Sequence, residues 1–434
     1  MFLKRIQLGL LHMAVAMTLV PINSTLNRVM IKELALSATL VAVLASLPYL
    51  FSPIQVAIGS FSDRHPVWGR RRTPYIFLGL ILCVLGLVLA PTAAFTMAEN
   101  FWSGLGLGVL AFGAWGMGYN LASVSYLSLA SELSGERGRG RTIAVMFFMM
   151  ITSIIFTAIA VSNMVEPYTP EALRSAIYTI AAAAGVLGLV GLVGLEKRTA
   201  AGEEAPPSEE HSWGALFRGV MENRQAALFF WYLIILLAAI LGQDILLEPF
   251  GAEAFGMSVQ ATTRITSIWG GCFLLSLVAA GLLEGRVLKL HLAKFGGWSA
   301  LLGFVIIVLS GALAHLGVFY AGVILLGLGT GLSTVSNLSL MLDMTVEGKV
   351  GLFIGAWGMA NALSRLIGNV MGGGVRDLLT RLTQDPVAAY MVVFAIEALF
   401  LGVSLWMLGR INVTAFHRQA DGLSVVERAA MAAD

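Results

Sequence analysis

The chain has 434 residues, of which 58% are hydrophobic and only 12% charged, with a formal net charge of +2. A water-soluble domain carries about a quarter charged residues, so composition excludes a water-solvated fold for most of this chain and points to lipid as its solvent. No basic domain and no nucleic-acid motif is present, which sets nucleic acid aside as a partner.

A helix needs about 20 mostly apolar residues to cross a bilayer. Twelve segments meet that need: 6–26, 38–60, 74–95, 104–130, 142–163, 174–195, 226–247, 262–283, 298–316, 318–341, 350–372 and 387–409. They are called spans one to twelve. Span one follows Lys4 and Arg5 but lacks a small-residue cleavage site and runs on through Pro21 and Asn23 to Arg28, so it reads as a span, not a signal peptide. The longest polar segment, 196–225, contains Gly202 to Glu210 with four glutamates and two prolines and reads as a flexible linker. The expected organisation is a six-span half over 1–195, the linker over 196–225, a second six-span half over 226–410, and a tail over 411–434. Cys83 and Cys272 fall inside apolar runs, without redox or metal-ligand spacing, and read as packing residues.

Orientation follows from the basic residues. With the N-terminus inside, twenty of the 27 Lys and Arg fall in inner segments, six in outer ones, and Arg365 within a span. Both termini are therefore expected in the cytoplasm.

The halves repeat. Gly116, Gly118, Val124, Ser125, Leu127, Ser128 and Leu129 of span four recur as Gly327, Gly329, Val335, Ser336, Leu338, Ser339 and Leu340 of span ten, at a constant offset of 211. Glu132 aligns with Asp343, and Glu136 with Glu347. Six spans, an inner linker and six similar spans in the same orientation form a parallel repeat, the arrangement of the major facilitator transporters. The predicted fold is thus an all-α membrane protein of twelve transmembrane helices in two pseudo-symmetric halves.

The loop between spans two and three fits that arrangement. Gly59-x-x-x-Asp63-Arg64 followed by Gly69-Arg70-Arg71, with Arg72 next, resembles the major facilitator signature, although extra residues separate its two parts. Arg71 or Arg72 would pair with Asp63, or with Glu132 and Glu136 of the neighbouring inner loop, and brace that side. The other reading is a basic cluster held by phospholipid head groups.

Two loops resemble a narrower group. Ser24-Thr25-Leu26-Asn27-Arg28-Val29-Met30-Ile31-Lys32-Glu33-Leu34 and Trp68-Gly69-Arg70-Arg71-Arg72-Thr73-Pro74-Tyr75-Ile76 are similar to those of the bacteriochlorophyll delivery (PucC/LhaA-like) family of the major facilitators. The resemblance runs from the first span to the twelfth. It implies an assembly factor of the bacterial inner (cytoplasmic or intracytoplasmic) membrane that binds bacteriochlorophyll, as cargo or ligand, and delivers it to light-harvesting antenna polypeptides. Pigment-synthesis enzymes are further candidate partners.

A tetrapyrrole needs an axial ligand for its magnesium and a flat apolar slot. His12 is the best-placed histidine, about 9 Å into span one at 1.5 Å per residue. It either ligates or hydrogen-bonds a neighbouring helix. Asn120, Gln55 and Glu397 are alternative ligands. Tyr119, Asn120 and Tyr126 on span four are cavity candidates by the family's architecture, as packing aromatics or pigment contacts. Ionisable residues within spans are costly. Glu397 in span twelve and Arg365 in span eleven are expected partners, as a structural ion pair or as a pigment or proton site. Asp244 and Glu248 are four residues apart and would share one helix face at the outer end of span seven, meeting water or serving a proton-coupled carrier. Gly185, Gly188, Gly191 and Gly194 of span six leave a bare groove for a neighbouring helix, a partner protein or a pigment ring.

No nucleophile–base pair, zinc spacing or nucleotide-binding loop is present, so no catalytic residue, metal site or enzyme activity is expected. The alternatives to a pigment-handling factor are a proton-coupled secondary transporter of a small amphipathic solute, and a scaffold that carries nothing.

Overall fold

In lipid every backbone polar group must be satisfied within the chain, which leaves helices as the economical way to bury long apolar runs. A computed structural model describes residues 2–54, 58, 61, 62, 65–196, 221, 223–283, 286–344 and 350–416, and they are almost wholly helical. Ten helices among them are long and apolar enough to cross a membrane: Phe2–Glu33, Thr73–Glu99, Phe101–Gly135, Gly140–Met164, Pro170–Leu192, Arg224–Ile245, Val259–Leu283, Lys289–Leu313, Leu316–Met341 and Pro386–Leu408. These correspond to all the expected spans except two and eleven. Span two is broken, with Ala38–Ala45 followed by Leu47–Leu50 around Ser46. Span eleven is part of the long helix Val350–Thr383, which carries Arg365, Asn369 and Arg376.

The two halves pack alike. Span four aligns with span ten at an offset of 211, and spans three and nine, at an offset of 217, meet them in the same way. A Cβ on Gly79 would lie 2.6 Å from the Ala122 amide nitrogen and 2.8 Å from the Gly118 carbonyl; one on Gly296 would lie 2.6 Å from the Ser333 nitrogen and 2.9 Å from the Gly329 carbonyl. Gly86 abuts Ala111 and Trp115 as Gly303 abuts Gly322 and Leu326. Bare backbone contact of this kind lets helices approach closely where lipid supplies no hydrophobic drive. In span six, Gly188 faces Leu80 and Gly191 faces Leu11, so neighbouring helices occupy that part of the expected groove, while Gly185 has only Val84 nearby at 3.9 Å.

The ion pairs repeat too. Arg72, at the head of span three, donates from Nη2 to Glu132 at 2.9 Å, and Lys289, at the head of span nine, donates to Asp343 at 2.6 Å. The basic loop turns at Trp68 and Gly69, both with positive φ, between reciprocal Val67–Arg70 backbone bonds of 3.0 Å. Glu196 then caps span three, accepting from the amides of Arg71 (2.8 Å), Arg72 (3.1 Å) and Thr73 (2.6 Å), a carboxylate where the helix dipole favours one. Gly59, Asp63 and Arg64 lie outside the described residues, as do Gln55 and the Glu136 side chain.

Between the halves, spans two and eleven and spans five and eight are in contact. Asp377 accepts from Ser37, Ala38 and Thr39 at the head of span two, and Gly373 lies against the Ala38 carbonyl. Arg264 donates to Ser162 and Asn163, each at 3.2 Å, and Ser162 to the Gln260 carbonyl at 3.1 Å. All these bonds lie on the face opposite the basic loops.

Candidate functional site

Spans one and seven both depart from regular α-helix, and the departures face each other. Span one widens into π turns at Pro21–Leu26 and Val29–Glu33. Span seven ends at Gly242, passes through a 3₁₀ turn at Gln243–Ile245, and resumes as Leu247–Phe255. Such irregular backbone within a bundle is tolerated where protein or a cavity can satisfy it. Asn27 donates to the Ile245 carbonyl at 2.7 Å, Thr25 and Thr263 hydroxyls meet at 3.1 Å, Ser24 and Thr266 both donate to Glu248, and Arg28 donates to the Met257 carbonyl at 3.2 Å. Lys32 reaches Glu253 at 2.5 Å. With the Asp377 and Arg264 bonds, these contacts close the face away from the basic loops.

Beneath that closure lies an ion pair. Arg365 of span eleven donates to Asp244 of span seven at 2.9 Å, with its guanidinium 5.3 Å from the ring centre of Tyr49 on span two. Gln243 donates to the other Asp244 oxygen at 2.9 Å. The Arg365 and Asp244 side chains are 28% and 25% exposed. The pair thus joins spans seven and eleven of the second half, with Tyr49 of the first half's span two against it. Tyr49 and, on span four, Tyr119 are half-buried beside it.

Two sequence expectations change here. Arg365 pairs with Asp244, not with Glu397. Glu397 is 0% exposed, and neither carboxyl oxygen has a partner among the described residues; it sits behind the span-seven break, against Gly242. Asp244 and Glu248 do not share a face at the water surface. The 3₁₀ turn, tighter than an α-turn, turns Asp244 toward span eleven and leaves Glu248 buried against spans one and eight.

The span-four candidates divide. Asn120 donates to the Pro48 carbonyl at 2.7 Å and to the Gly116 carbonyl at 2.9 Å, bracing the end of broken span two. Trp115 donates to Thr18 at 2.9 Å. Tyr126 is buried, with its hydroxyl 3.3 Å from Ser123, and packs on His12 with ring centres 5.1 Å apart. His12 also meets Phe147 of span five edge-on at 5.0 Å. His12, Tyr126 and Tyr119 therefore lie along one side of spans one and four, while Glu397 belongs to the far side of span seven. Sequence reasoning passed over Tyr49, Glu196, Asp377 and the Gly79–Gly86 pair. Among the described residues, no group of three or more His, Cys, Asp or Glu is placed to hold a metal ion.

The fold and sequence can be compared with known proteins. The crystal structure of the nucleoside transporter NupG superposes with a TM-score of 0.69, covering 94% of this chain and 98% of that one at 14% identity. This is the major facilitator fold, and the chain is a multi-pass membrane protein. Protein PucC of Cereibacter sphaeroides is 31% identical over 418 residues, covering 93% of this chain and 90% of that protein. A Rhodobacter capsulatus protein named bacteriochlorophyll synthase 44.5 kDa chain is 29% identical over 423 residues, covering 94% of each. The PUCC protein family matches residues 25–416, almost the whole described chain. The chain belongs to the PucC family and is a photosynthesis-related membrane protein.

Proposed function

We propose that this protein binds bacteriochlorophyll within the bundle and hands it to light-harvesting antenna polypeptides in the inner membrane. It acts as an assembly factor, not an enzyme, with both termini cytoplasmic and its two six-span halves, 1–195 and 226–410, on either side of the pigment. Pigment-synthesis enzymes are the natural upstream partners. The observation that carries the reading is the family match over residues 25–416, together with a relative named as a bacteriochlorophyll synthase chain. The side chains around the Arg365–Asp244 pair suit such a cargo: Tyr49 and Tyr119 offer flat faces, and the pair offers polar atoms to a ring periphery. Ligand sites of this type combine apolar walls with a few polar groups. The test is the near-infrared absorption of protein purified from a bacteriochlorophyll-producing host. A pigment band that co-elutes with the protein supports the reading, and colourless protein from pigmented membranes defeats it.

A proton-coupled transporter of a small amphipathic solute is the second reading. It is favoured by one feature, the unpartnered Glu397 carboxyl behind Gly242 and close to Asp244. Uptake into vesicles that depends on a proton gradient, and that Glu397→Gln abolishes, would support it.

A further inference from the structure

We propose that His12 is the residue that would ligate the magnesium of the bound pigment. This deepens, and rests on, the pigment-binding reading above. His12 is 7% exposed, and its Nδ1 is wholly buried with no hydrogen-bond partner among the described residues. An unsatisfied buried polar group costs roughly 1–3 kcal/mol and calls for an explanation such as a ligand or a bound water. The neighbouring Tyr126 hydroxyl is engaged elsewhere, lying 3.3 Å from Ser123.

The second half shows what a closed version of this place looks like. Asn337 aligns with Tyr126 across the repeat, and it faces span seven as Tyr126 faces span one. There the Tyr232 hydroxyl donates directly to Asn337 Oδ1 at 2.9 Å. The matching contact in the first half is ring against ring, with no hydrogen bond, so the imidazole lone pair is uncommitted. Tyr126 stands at 41° to the imidazole and Phe147 at 89°, and Phe147 is itself 42% exposed. Two apolar walls and a free nitrogen suit a flat ring with a coordinatively unsaturated metal. Imidazole is a common ligand for such metals. His12 would hold the pigment through its imidazole lone pair, and the pigment would supply the magnesium that accepts it, with no proton or electron transferred.

The test uses the full chain in detergent, titrated with bacteriochlorophyll a and with its metal-free counterpart, bacteriopheophytin a, in wild type and His12→Ala. The expected result is at least tenfold tighter binding of the magnesium pigment by wild type. In His12→Ala that preference disappears, binding of the metal-free pigment is unchanged, and added imidazole restores the lost affinity. Retained binding of the metal-free pigment also shows that the variant is folded. Equal weakening of both pigments would make His12 a packing residue and overturn the assignment, as would no change in either. If wild type binds neither pigment, the pigment-binding reading itself falls, and the His12 assignment with it.

Discussion

Asp377, beyond the end of the predicted span eleven, caps Ser37 at the head of span two. It accepts from the Ser37 hydroxyl at 2.6 Å, from the Ala38 amide at 3.1 Å, and from the Thr39 amide and hydroxyl, both at 2.8 Å. One carboxylate thus satisfies amide donors that a helix start leaves open while joining the two halves. Loss of a helix cap costs about 1 kcal/mol, and hydrogen bonds to a charged group about 1.5–3 kcal/mol. Asp377→Ala should therefore lower stability by about 1–3 kcal/mol, read as a lower thermal midpoint in detergent, whereas Asp377→Asn should lose less. Burial works against the charge of Asp377, but hydrogen bonds from Ser37, Thr39 and Arg376 outweigh it and hold the carboxyl below its ordinary value. A lowered folded value means that this stabilisation is complete above the ordinary Asp range, about 3.9, and is lost as pH falls through the lower folded value. The gap between wild type and Asp377→Ala should be constant near neutrality and close in acid.

Arg365 and Asp244 should behave as a coupled pair. Removing one partner of a buried pair leaves an uncompensated charge, at a cost of about 3–5 kcal/mol when burial is complete. Here about a quarter of each side chain remains exposed, so Arg365→Ala or Asp244→Ala should cost about 2–3 kcal/mol. The double variant should cost less than the sum of the two. A double-mutant cycle on thermal or denaturant unfolding measures the difference. Additive losses would show that the pair contributes nothing as a unit.

The repeated glycine contacts predict matched sensitivity in the two halves. A methyl group on Gly79 or Gly296 would press on backbone that cannot move aside, and overpacking of this kind costs about 1–3 kcal/mol. Gly79→Ala and Gly296→Ala should lower the thermal midpoint by similar amounts. Gly106→Ala, where nothing lies within 4 Å, should not lower it.

The orientation of the chain can be read by cysteine labelling. With Cys83 and Cys272 replaced, an exposed His65→Cys in the basic loop should react with an impermeant maleimide only after the inner membrane is opened. Glu166→Cys, exposed in the loop between spans five and six, should react in spheroplasts without that step. The reverse pattern would place the basic loops outside.

Much of this architecture was readable because it lies along the chain. Run length marked the spans, and the offset of 211 marked the relation between spans four and ten. Gly79 and Gly86 were open to the same reading at 217, since Gly296 and Gly303 match them, but a repeat sought at one offset hides a second. What the sequence left open was the direction each side chain takes around its helix. Depth in the bilayer suggested Glu397 as the partner of Arg365; the turn at Gln243–Ile245 presents Asp244 instead. The four-residue spacing of Asp244 and Glu248 implied one face only for an unbroken helix. Glu196 and Asp377 gave no signal, because each caps a helix remote from it in sequence.

The glycine contacts also limit how the molecule can move. Spans three and four, and spans nine and ten, are welded backbone to backbone, so neither pair can slide without lifting a carbonyl off its neighbour. Opening must move each of these pairs as a block and part the seam that Asp377 and Arg264 hold shut. A rigid flat cargo would then enter or leave by widening of that seam, sideways into the bilayer, with no helix having to unwind.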